Sequence, residues 1–294
     1  MNQDQLFAGP FTAMITPFTD DGSSLSEPRL RAYCDFLIAG GVSGLFAFGT
    51  TGEWPLLSEA ERAAGAKALV SHAAGRVPVI VHAGAHSTEA AARLAAGARE
   101  AGADAVSLLS PPFYPLDDAA LFDHFTAVAR AVRGFPVFLY NIPEFAGNDI
   151  SPALLLRVAS RADNVIGLKY SGESLTRLRG YRLVMGSGFR LFNGNDSLAL
   201  PALHEGADGL VSGNASARPE LLVALYAAFR GGRLREAADR QKDLDRFIAA
   251  RDPTCELSTF KALCAHRGVA VGDVRPPLKR LPADGRADMG RFLR

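Results

Sequence analysis

The chain has 294 residues with 32 basic and 31 acidic side chains, so its formal net charge at pH 7 is +1. This balance argues against nucleic acid or an anionic membrane as the main partner, because both attract a strongly basic surface. Hydrophobic residues make up 48% of the chain and charged residues 21%. That composition excludes a disordered protein and allows a substantial core in one large domain or two smaller ones.

The N-terminal segment 1–7 lacks the basic and then apolar stretches of a signal peptide, so no leader is expected. The uncharged stretch 36–52 is interrupted by glycines and threonines, which a membrane helix would rarely tolerate. The three cysteines have no Cys-x-x-Cys spacing and are typical of buried thiols in a reducing compartment. The sequence therefore predicts a cytoplasmic globular protein.

Short apolar runs alternate along the chain with longer segments of helical periodicity. The runs are continuous in apolar character, as expected for parallel strands covered on both faces. Their starts are roughly 20 to 35 residues apart, the length of one strand–helix unit. The eight predicted strands are 11–15, 44–48, 77–81, 105–109, 136–140, 165–168, 190–192 and 209–211.

The segments between these runs carry helix signals. Apolar residues recur at helical spacing over 30–38, behind Ser26 and Pro28. Ser58 and Glu61 form a capping-box pattern, and Ser151 followed by proline opens a later helix. Eight strand–helix units predict an α/β fold, a (β/α)8 TIM barrel. A doubly wound sheet is the alternative, but no Gly-x-Gly-x-x-Gly follows the first strand.

Residues 231–294 are predicted to form a C-terminal helical extension to a catalytic barrel of residues 1–230. Two glycines at 231 and 232 precede a helical pattern over 234–250, and a second pattern covers 254–266. We expect this extension to pack on the barrel or on a neighbouring subunit.

Lysine is rare in this chain, and one lysine stands at a strand end, where TIM barrels carry their active sites. Lys169 directly follows the apolar run 165–168. Burial in a barrel core disfavours the ammonium and makes the free amine available as a nucleophile. A structural lysine paired with Glu53 or Asp196 is the alternative. We expect solvated roles for the four others, which are Lys67, Lys242, Lys261 and Lys279.

Two neighbouring strand ends supply further candidates. Tyr140 ends the fifth strand about one barrel position from Lys169, where a phenol can shuttle protons; a core-capping tyrosine is the alternative. The turn 49–52, Gly-Thr-Thr-Gly, offers N–H groups and hydroxyls suited to a small carboxylate, although such sequences are often only turns.

The two histidines at 82 and 86 straddle a strand end and do not share a helix face. Because no glutamate accompanies them, a zinc site is not expected. His82 is a candidate to line the pocket, and His86 is expected to cap the next helix. No metal and no cofactor are predicted.

Three motifs at successive strand ends resemble a known family. They are Gly-Thr-Thr-Gly-Glu at 49–53, Tyr-Asn-Ile-Pro at 140–143 and Gly-Leu-Lys at 167–169. Together they resemble the pyruvate-dependent class I aldolases of the dihydrodipicolinate synthase and N-acetylneuraminate lyase superfamily. The similarity extends from Thr16 to Pro277, nearly the whole chain.

The resemblance implies a role for each matching position. Lys169 corresponds to the lysine that forms a Schiff base with pyruvate, and Tyr140 to the tyrosine that donates and accepts protons. Thr50 corresponds to a hydroxyl that relays those protons. Tyr114 corresponds to a tyrosine that completes the relay in a neighbouring subunit, which implies a homo-oligomer, either a dimer or a tetramer. The implied pyruvate contacts are Gly49, Thr51 and Val211.

One position departs from the synthase pattern. Dihydrodipicolinate synthases carry an arginine after Tyr-Asn-Val-Pro that holds the second substrate's carboxylate, and here the residue is Phe145. An aromatic ring cannot make a bidentate pair with a carboxylate, which argues against the synthase reaction. The segment 145–150 resembles the 2-keto-3-deoxy sugar acid aldolases more closely. Gly194 and Asp196 lie where sialic acid lyases bind substrate hydroxyls, although Ser197 replaces the adjacent glutamate. Trp54 is expected to narrow the pocket or to form a rim at a subunit contact.

The sequence therefore predicts a Schiff-base lyase that joins or cleaves pyruvate and an aldehyde, with a 2-keto-3-deoxy sugar acid as the preferred substrate. Alternatives within the family are 4-hydroxy-tetrahydrodipicolinate synthase and a dehydratase or hydratase-aldolase. A catalytically silent protein that binds sugar acids is the alternative outside enzymes.

Overall fold

Eight short parallel strands close into a barrel within residues 6–293, which the computed structural model describes. Each strand pairs with the next along the chain, and the last returns to pair with the first. The predicted TIM barrel is confirmed, and every predicted run overlaps a strand. The strands are β1 Gly9–Ala13, β2 Gly44–Ala47, β3 Val79–His82, β4 Ala105–Leu109, β5 Val137–Asn141, β6 Val165–Tyr170, β7 Arg190–Asn193 and β8 Gly209–Ser212.

Helices connect these strands and continue beyond the last one. In residues 6–293 no helix is long and apolar enough to cross a membrane. The segment on which the expectation of no leader rests, 1–7, lies mostly outside the described residues. The helices are α1 Glu27–Ala39, α2 Glu59–Ala73, α3 Thr88–Glu100, α4 Asp118–Ala131, α5 Pro143–Ala146, α6 Pro152–Arg161, α7 Leu175–Met185, α8 Ala199–His204, α9 Pro219–Arg230, α10 Leu234–Ala249, α11 Glu256–His266 and α12 Ala283–Ala287.

Two helices begin with the caps that the sequence indicates. The Ser58 hydroxyl accepts from the Glu61 N–H at 3.1 Å, and the Glu61 carboxylate accepts from the Ser58 N–H at 3.0 Å. At the start of α6 the Ser151 hydroxyl accepts from the Leu154 N–H at 3.0 Å. Each cap satisfies an N–H group without an intrahelical partner and contributes ~1 kcal/mol. The caps fix the points where two of the loops above the barrel end.

Aromatic rings fill the barrel interior. Phe11, Phe46, Phe138 and Phe192 are fully buried there, and the rings of Phe11 and Phe192 lie 5.0 Å apart. Gly167 faces this packing, because a Cβ at that position would overlap the Phe138 ring. Burial of such a ring contributes roughly 1.5–3 kcal/mol. The interior is therefore a packed floor beneath the strand ends.

An irregularity in the pairing of β5 with β6 determines which side chains of β6 face inward. Val137 pairs with Val165, but the next residue, Phe138, pairs with Gly167. One residue of β6 is skipped, as in a β-bulge. Beyond this point Tyr140 pairs with Lys169. Their side chains therefore leave neighbouring strands at the same level and on the same face.

The C-terminal extension packs on the barrel. Its two longer helices, α10 and α11, lie where the helical patterns predict them. The Cys264 thiol donates to the Ser216 carbonyl at 3.3 Å, and Arg267 donates to the Ala217 carbonyl at 2.6 Å. Both acceptors follow β8, so these bonds hold the extension at the end of the barrel where the strands deliver their last residues.

Candidate active site

Lys169 and Tyr140 meet at the carboxyl end of the barrel. The Lys169 Nζ lies 4.2 Å from the centroid of the Tyr140 ring and 4.5 Å from that of the Phe46 ring. Lys169 is only 5% exposed, and it lines the large cavity at this end. A Cβ at Gly194 would lie 2.7 Å from the Lys169 Cε. Glycine at 194 therefore leaves the space that the lysine side chain occupies.

The structural alternative for Lys169 requires a carboxylate partner. No ion pair joins Lys169 to a carboxylate in the part of the chain that the structure describes. Both carboxylates considered from the sequence have other partners: Glu53 pairs with Lys261, and Asp196 accepts hydrogen bonds from groups at the end of β8. The amine contacts the rings of Phe46 and Tyr140 and pairs with no carboxylate of the described residues.

The Tyr140 hydroxyl faces a second hydroxyl. Thr50 Oγ1 lies 3.4 Å from Tyr140 Oη, and either oxygen can donate. Tyr140 is buried, and His82 packs edge-on against its ring with 5.9 Å between centroids. Within residues 6–293 this phenol bonds to a side chain and to no backbone group, unlike a core-capping tyrosine. Its ring contacts the Lys169 amine and its hydroxyl faces the Thr50 hydroxyl, an arrangement suited to proton transfer.

The turn 49–53 behind these hydroxyls is firmly anchored. Thr16 Oγ1 donates to the Gly52 carbonyl at 2.6 Å. A Cβ at Gly52 would lie 2.9 Å from the Phe48 Cα, so only glycine fits without a shift. Glu53 has φ of 60°, in the left-handed region that non-glycine residues rarely adopt. Such strain persists only where surrounding contacts hold it, and it is common at functional sites.

The same turn presents groups suited to a small carboxylate. Thr50 and Thr51 line the cavity, whereas Gly49 lies at the start of the turn, outside the cavity wall. Gly213, just beyond β8, faces the turn, because a Cβ there would lie 3.2 Å from the Thr51 Oγ1. Val211 of β8 also lines the cavity. Hydroxyls and backbone N–H groups of a tight turn form a small anion-binding concavity.

One lysine expected at the surface is buried against this turn. Lys261 of α11 is 1% exposed; its Nζ lies 2.7 Å from Glu53 Oε1 and donates to the Asp273 carbonyl at 2.9 Å. The Arg275 N–H donates to Glu53 Oε2 at 3.0 Å. Burial lowers the pKa of the Lys261 ammonium, and the Glu53 carboxylate opposes that shift. The expectation of a solvated role is therefore wrong for Lys261, and the other three are exposed as expected: Lys67, Lys242 and Lys279.

A cavity of ≈ 680 Å³ opens at this end of the barrel. Its volume lies in the ordinary range for sites that enclose a small organic molecule. The outer wall comes from the C-terminal extension, including Arg251 and the segment 253–258. Most of the site residues predicted from the sequence line it, namely Thr50, Thr51, Tyr140, Phe145, Lys169, Gly194, Asp196 and Val211.

Asp196 lies beyond β7 and reaches toward β8. Its Oδ2 accepts from the Ser212 hydroxyl at 2.6 Å, from the Asn214 N–H at 3.4 Å and from the Asn214 side-chain amide. Burial raises the pKa of Asp196, and these hydrogen bonds oppose the shift. Among the described residues Oδ1 has no hydrogen-bond partner, so this oxygen is available to a molecule in the cavity.

Phe145 and Tyr114 carry exposed aromatic rings. Phe145 of α5 is 65% exposed and forms part of the cavity rim. Tyr114 is 70% exposed and packs edge-on against Phe113, with 5.0 Å between ring centroids. The Asn148 amide holds this loop by donating to the Pro111 carbonyl at 2.8 Å and the Tyr114 carbonyl at 2.9 Å. Tyr114 is thus fixed outside the cavity of its own chain.

The ring of Trp54 packs against two histidines behind the site. Trp54 is buried, with ring centroids 5.8 Å from His82 and 5.4 Å from His86. It does not line the cavity, so the prediction that it narrows the pocket is wrong, whereas its place at a subunit contact stays a prediction. His82 also lies behind the cavity wall; burial holds its pKa well below the usual value and keeps the ring neutral. The prediction that His86 caps the next helix is wrong. Ser87 caps α3, since the Ser87 hydroxyl accepts from the Ala90 N–H at 3.2 Å.

Comparisons with known proteins identify relatives over nearly the full length. The model of the Dihydrodipicolinate synthetase family matches residues 6–294. The chain is 33% identical to a 4-hydroxy-tetrahydrodipicolinate synthase of Methanopyrus kandleri, covering 97% of this chain and 95% of that one. It is 36% identical to a probable 2-dehydro-3-deoxy-D-pentonate aldolase of Escherichia coli, covering 88% and 87%. A crystal structure of a prophage protein of the dihydrodipicolinic acid synthase family from Escherichia coli K12, in complex with pyruvate, matches with a TM-score of 0.90, 31% identity and 98% coverage of each chain.

Proposed function

Because the chain belongs to the dihydrodipicolinate synthetase family, we propose that it is a pyruvate-dependent aldolase in which Lys169 forms an imine with the keto carbon of pyruvate. The family match confirms the predicted enzyme class, a pyruvate-dependent lyase. One observation carries the proposed role of Lys169. A buried amine lines the cavity, in register with Tyr140 and without a carboxylate partner in residues 6–293.

Imine formation needs two proton transfers that the neighbouring hydroxyls can make. The neutral Lys169 amine attacks the keto carbon, and the resulting carbinolamine loses water to leave the imine. The nitrogen gives up a proton and the departing hydroxyl gains one. Tyr140 is placed for both transfers, because its ring contacts Lys169 and its hydroxyl faces Thr50 at 3.4 Å. Thr50 extends the relay away from the amine.

The turn 49–53 supplies the site for the pyruvate carboxylate. Thr50 and Thr51 line the same cavity as Lys169, and the anchoring of the turn keeps their hydroxyls in place without a bound anion. A site ordered before binding avoids the entropic cost of ordering it around the substrate. Val211 lines the cavity from β8, where its backbone can contact the bound pyruvate.

The carbon–carbon step follows from the electronics of the imine. The protonated imine withdraws electrons from the neighbouring carbon, so loss of a methyl proton gives an enamine. The enamine carbon attacks an aldehyde, whose oxygen takes up a proton, and the reverse sequence breaks the same bond. Water then hydrolyses the product imine and restores the Lys169 amine. Tyr140 is the group beside Lys169 that can take up and return these protons.

For the aldehyde part, the rim of the cavity favours a hydroxylated molecule without a charge. Phe145 lines the rim at the position where the synthases carry an arginine, and its ring offers no donor to a carboxylate. Asp196 lines the same cavity, and its Oδ1, which has no donor within residues 6–293, is a suitable acceptor for a hydroxyl. The proposed substrate is therefore a 2-keto-3-deoxy sugar acid.

A second candidate is the 4-hydroxy-tetrahydrodipicolinate synthase reaction. Its support is the similarity to a protein of that name from Methanopyrus kandleri over nearly the full length of both chains. The two candidates differ in the aldehyde that pyruvate meets.

Assembly and location complete the proposal. The exposed ring of Tyr114 is suited to contact a second copy of the chain, where its hydroxyl would complete the relay from Thr50. A homo-oligomer, a dimer or a tetramer, follows from that role.

The three buried thiols, Cys34, Cys255 and Cys264, support a location in the reducing cytoplasm.

A panel of aldehydes distinguishes the two reactions. The purified protein is incubated with pyruvate and either glyceraldehyde or aspartate semialdehyde, and the consumption of pyruvate is followed. We expect faster condensation with glyceraldehyde. Faster condensation with aspartate semialdehyde would favour the synthase and contradict the argument from Phe145.

A further inference from the structure

The C-terminal extension contributes a buried cation to the outer wall of the cavity. The side chain of Arg251 is 4% exposed, and its guanidinium carbon lies 4.8 Å from the Phe260 ring centroid and 5.2 Å from that of Phe247. Its Nη1 donates to Glu256 at 2.5 Å, and its Nε donates to the Phe247 carbonyl at 3.3 Å. These contacts hold the guanidinium in one place.

One edge of this guanidinium has no hydrogen-bond partner in the described part of the chain. Within residues 6–293 the Arg251 Nη2 has no hydrogen-bond acceptor, although Arg251 lines the cavity. A planar guanidinium fixed by its other nitrogens presents the remaining N–H groups in a known direction. A donor of this kind is costly to leave unpaired when a bound ligand excludes water from it.

Arg251 lies close to the sites already described. The Phe260 ring on which it packs would be 3.8 Å from a Cβ at Gly213, the residue that faces Thr51. Arg251 and Asp196 both line the cavity. Burial raises the pKa of Asp196, and the positive charge of Arg251 is one of the influences that oppose this shift. Both side chains therefore face the cavity that Lys169 also lines.

The two side chains have complementary hydrogen-bonding groups, a donor on one and an acceptor on the other. Among the described residues, Arg251 Nη2 has no hydrogen-bond acceptor and Asp196 Oδ1 has no donor. Two adjacent hydroxyl groups match this pair, because one can accept while its neighbour donates. A second carboxylate on the substrate matches less well, since Glu256 already neutralises Arg251 and Asp196 would repel it.

We propose that Arg251 is a specificity-determining residue that binds, together with Asp196, a vicinal diol on the aldehyde part of the substrate. The proposal rests on the proposed function, because it assigns the pyruvate end of the substrate to Lys169. It names the feature of the sugar acid that the outer cavity selects.

Two aldehydes of equal chain length test this assignment. Glyceraldehyde carries a vicinal diol, and propanal has the same three carbons without hydroxyls. The readout is the ratio of kcat/KM for glyceraldehyde to kcat/KM for propanal, each with saturating pyruvate. In Arg251→Leu this ratio is expected to fall about ten- to a hundredfold, the loss of one charge-assisted hydrogen bond.

Matched variants separate binding from folding. Arg246→Leu changes an exposed arginine of α10 and is expected to leave the ratio as in the wild type. Arg251→Lys keeps the charge but lacks the guanidinium fork, so the ratio is expected to fall in this variant as well. This variant keeps the test possible if Arg251→Leu does not fold.

Each outcome decides the proposal. A fall of the ratio in both Arg251 variants supports it. An equal loss with both aldehydes shows a structural role only and overturns it. A larger loss with succinic semialdehyde than with glyceraldehyde would show that Arg251 binds a carboxylate, which also overturns it. If the wild-type protein forms no borohydride-trapped pyruvate adduct, the proposed function itself is wrong. If the adduct forms but the ratio is unchanged in the Arg251 variants, only the role of Arg251 is wrong.

Discussion

Replacement of Lys261 by methionine is expected to destabilise the protein strongly. The change removes an ammonium that lies 2.7 Å from Glu53 Oε1 and leaves that carboxylate, whose side chain is fully buried, with the Arg275 N–H as its remaining donor in residues 6–293. Loss of one partner of a buried ion pair costs about 3–5 kcal/mol. Because a domain is typically stable by only about 5–15 kcal/mol, this is a large fraction of the total.

Urea unfolding monitored by tryptophan fluorescence measures the effect. The single tryptophan, Trp54, directly follows Glu53 and is buried, so its emission reports on the same turn. The double variant Glu53→Gln, Lys261→Met removes both charges together and is expected to regain much of the lost free energy, since neither charge is then left alone. Lys67→Met is the matched control, because Lys67 is exposed.

Either of two results would refute the role of the Glu53–Lys261 pair. If Lys261→Met unfolds at the same urea concentration as Lys67→Met, the buried pair does not hold the turn. The losses of unfolding free energy in Lys261→Met and in Glu53→Gln are also compared with the loss in the double variant. If the double variant loses the sum of the two, Glu53 and Lys261 act independently, and the ion pair is not the anchor of the turn 49–53.

Three other outcomes are expected. Tyr114→Phe lowers turnover by about a hundredfold but still forms the trapped pyruvate adduct, because Tyr140 and Thr50 remain beside Lys169 and borohydride accumulates the adduct even when imine formation is slow; unchanged turnover would remove Tyr114 from the relay. Phe145→Arg raises kcat/KM for aspartate semialdehyde relative to glyceraldehyde, and a ratio equal to the wild type would contradict the role of the rim. Burial lowers the pKa of His124 from 6.5 to about 4, so the unfolded chain binds more protons between these values. The stability that neutral His124 contributes is therefore present above pH 6.5 and is lost as the pH falls through about 4. The loss in the free energy of unfolding is up to about 3 kcal/mol. If this free energy has the same pH slope in His124→Gln as in the wild type, the prediction for His124 is wrong.

The pairing of Lys169 with Tyr140 could be anticipated because it depends on local pattern and barrel topology. Each residue follows an apolar run, and consecutive strands of a TIM barrel are neighbours. Their shared level could not be anticipated, since it depends on the register shift after Val137. That shift comes from packing inside the barrel, where Gly167 admits the Phe138 ring, and no local signal in the sequence reports it.

The buried position of Lys261 depends on a contact that is distant in sequence. Glu53 lies more than two hundred residues earlier, so the local pattern, a charge in a segment with polar residues, predicts a solvated side chain. A signal was present: Lys261 stands at helical spacing on the same stripe as Leu257 and Cys264, which are apolar. Arg251 offered no comparable signal, because its place in the cavity wall depends on how the extension folds back over β8.

The central claim is that Lys169 is the nucleophile toward pyruvate, and reductive trapping tests it most directly. The protein is incubated with pyruvate, reduced with borohydride and examined by intact mass and peptide mapping, with Lys169→Arg as the control. We predict one reduced pyruvate per chain on Lys169 and none in the control. An adduct on another lysine, or no adduct in the wild type, would contradict the claim.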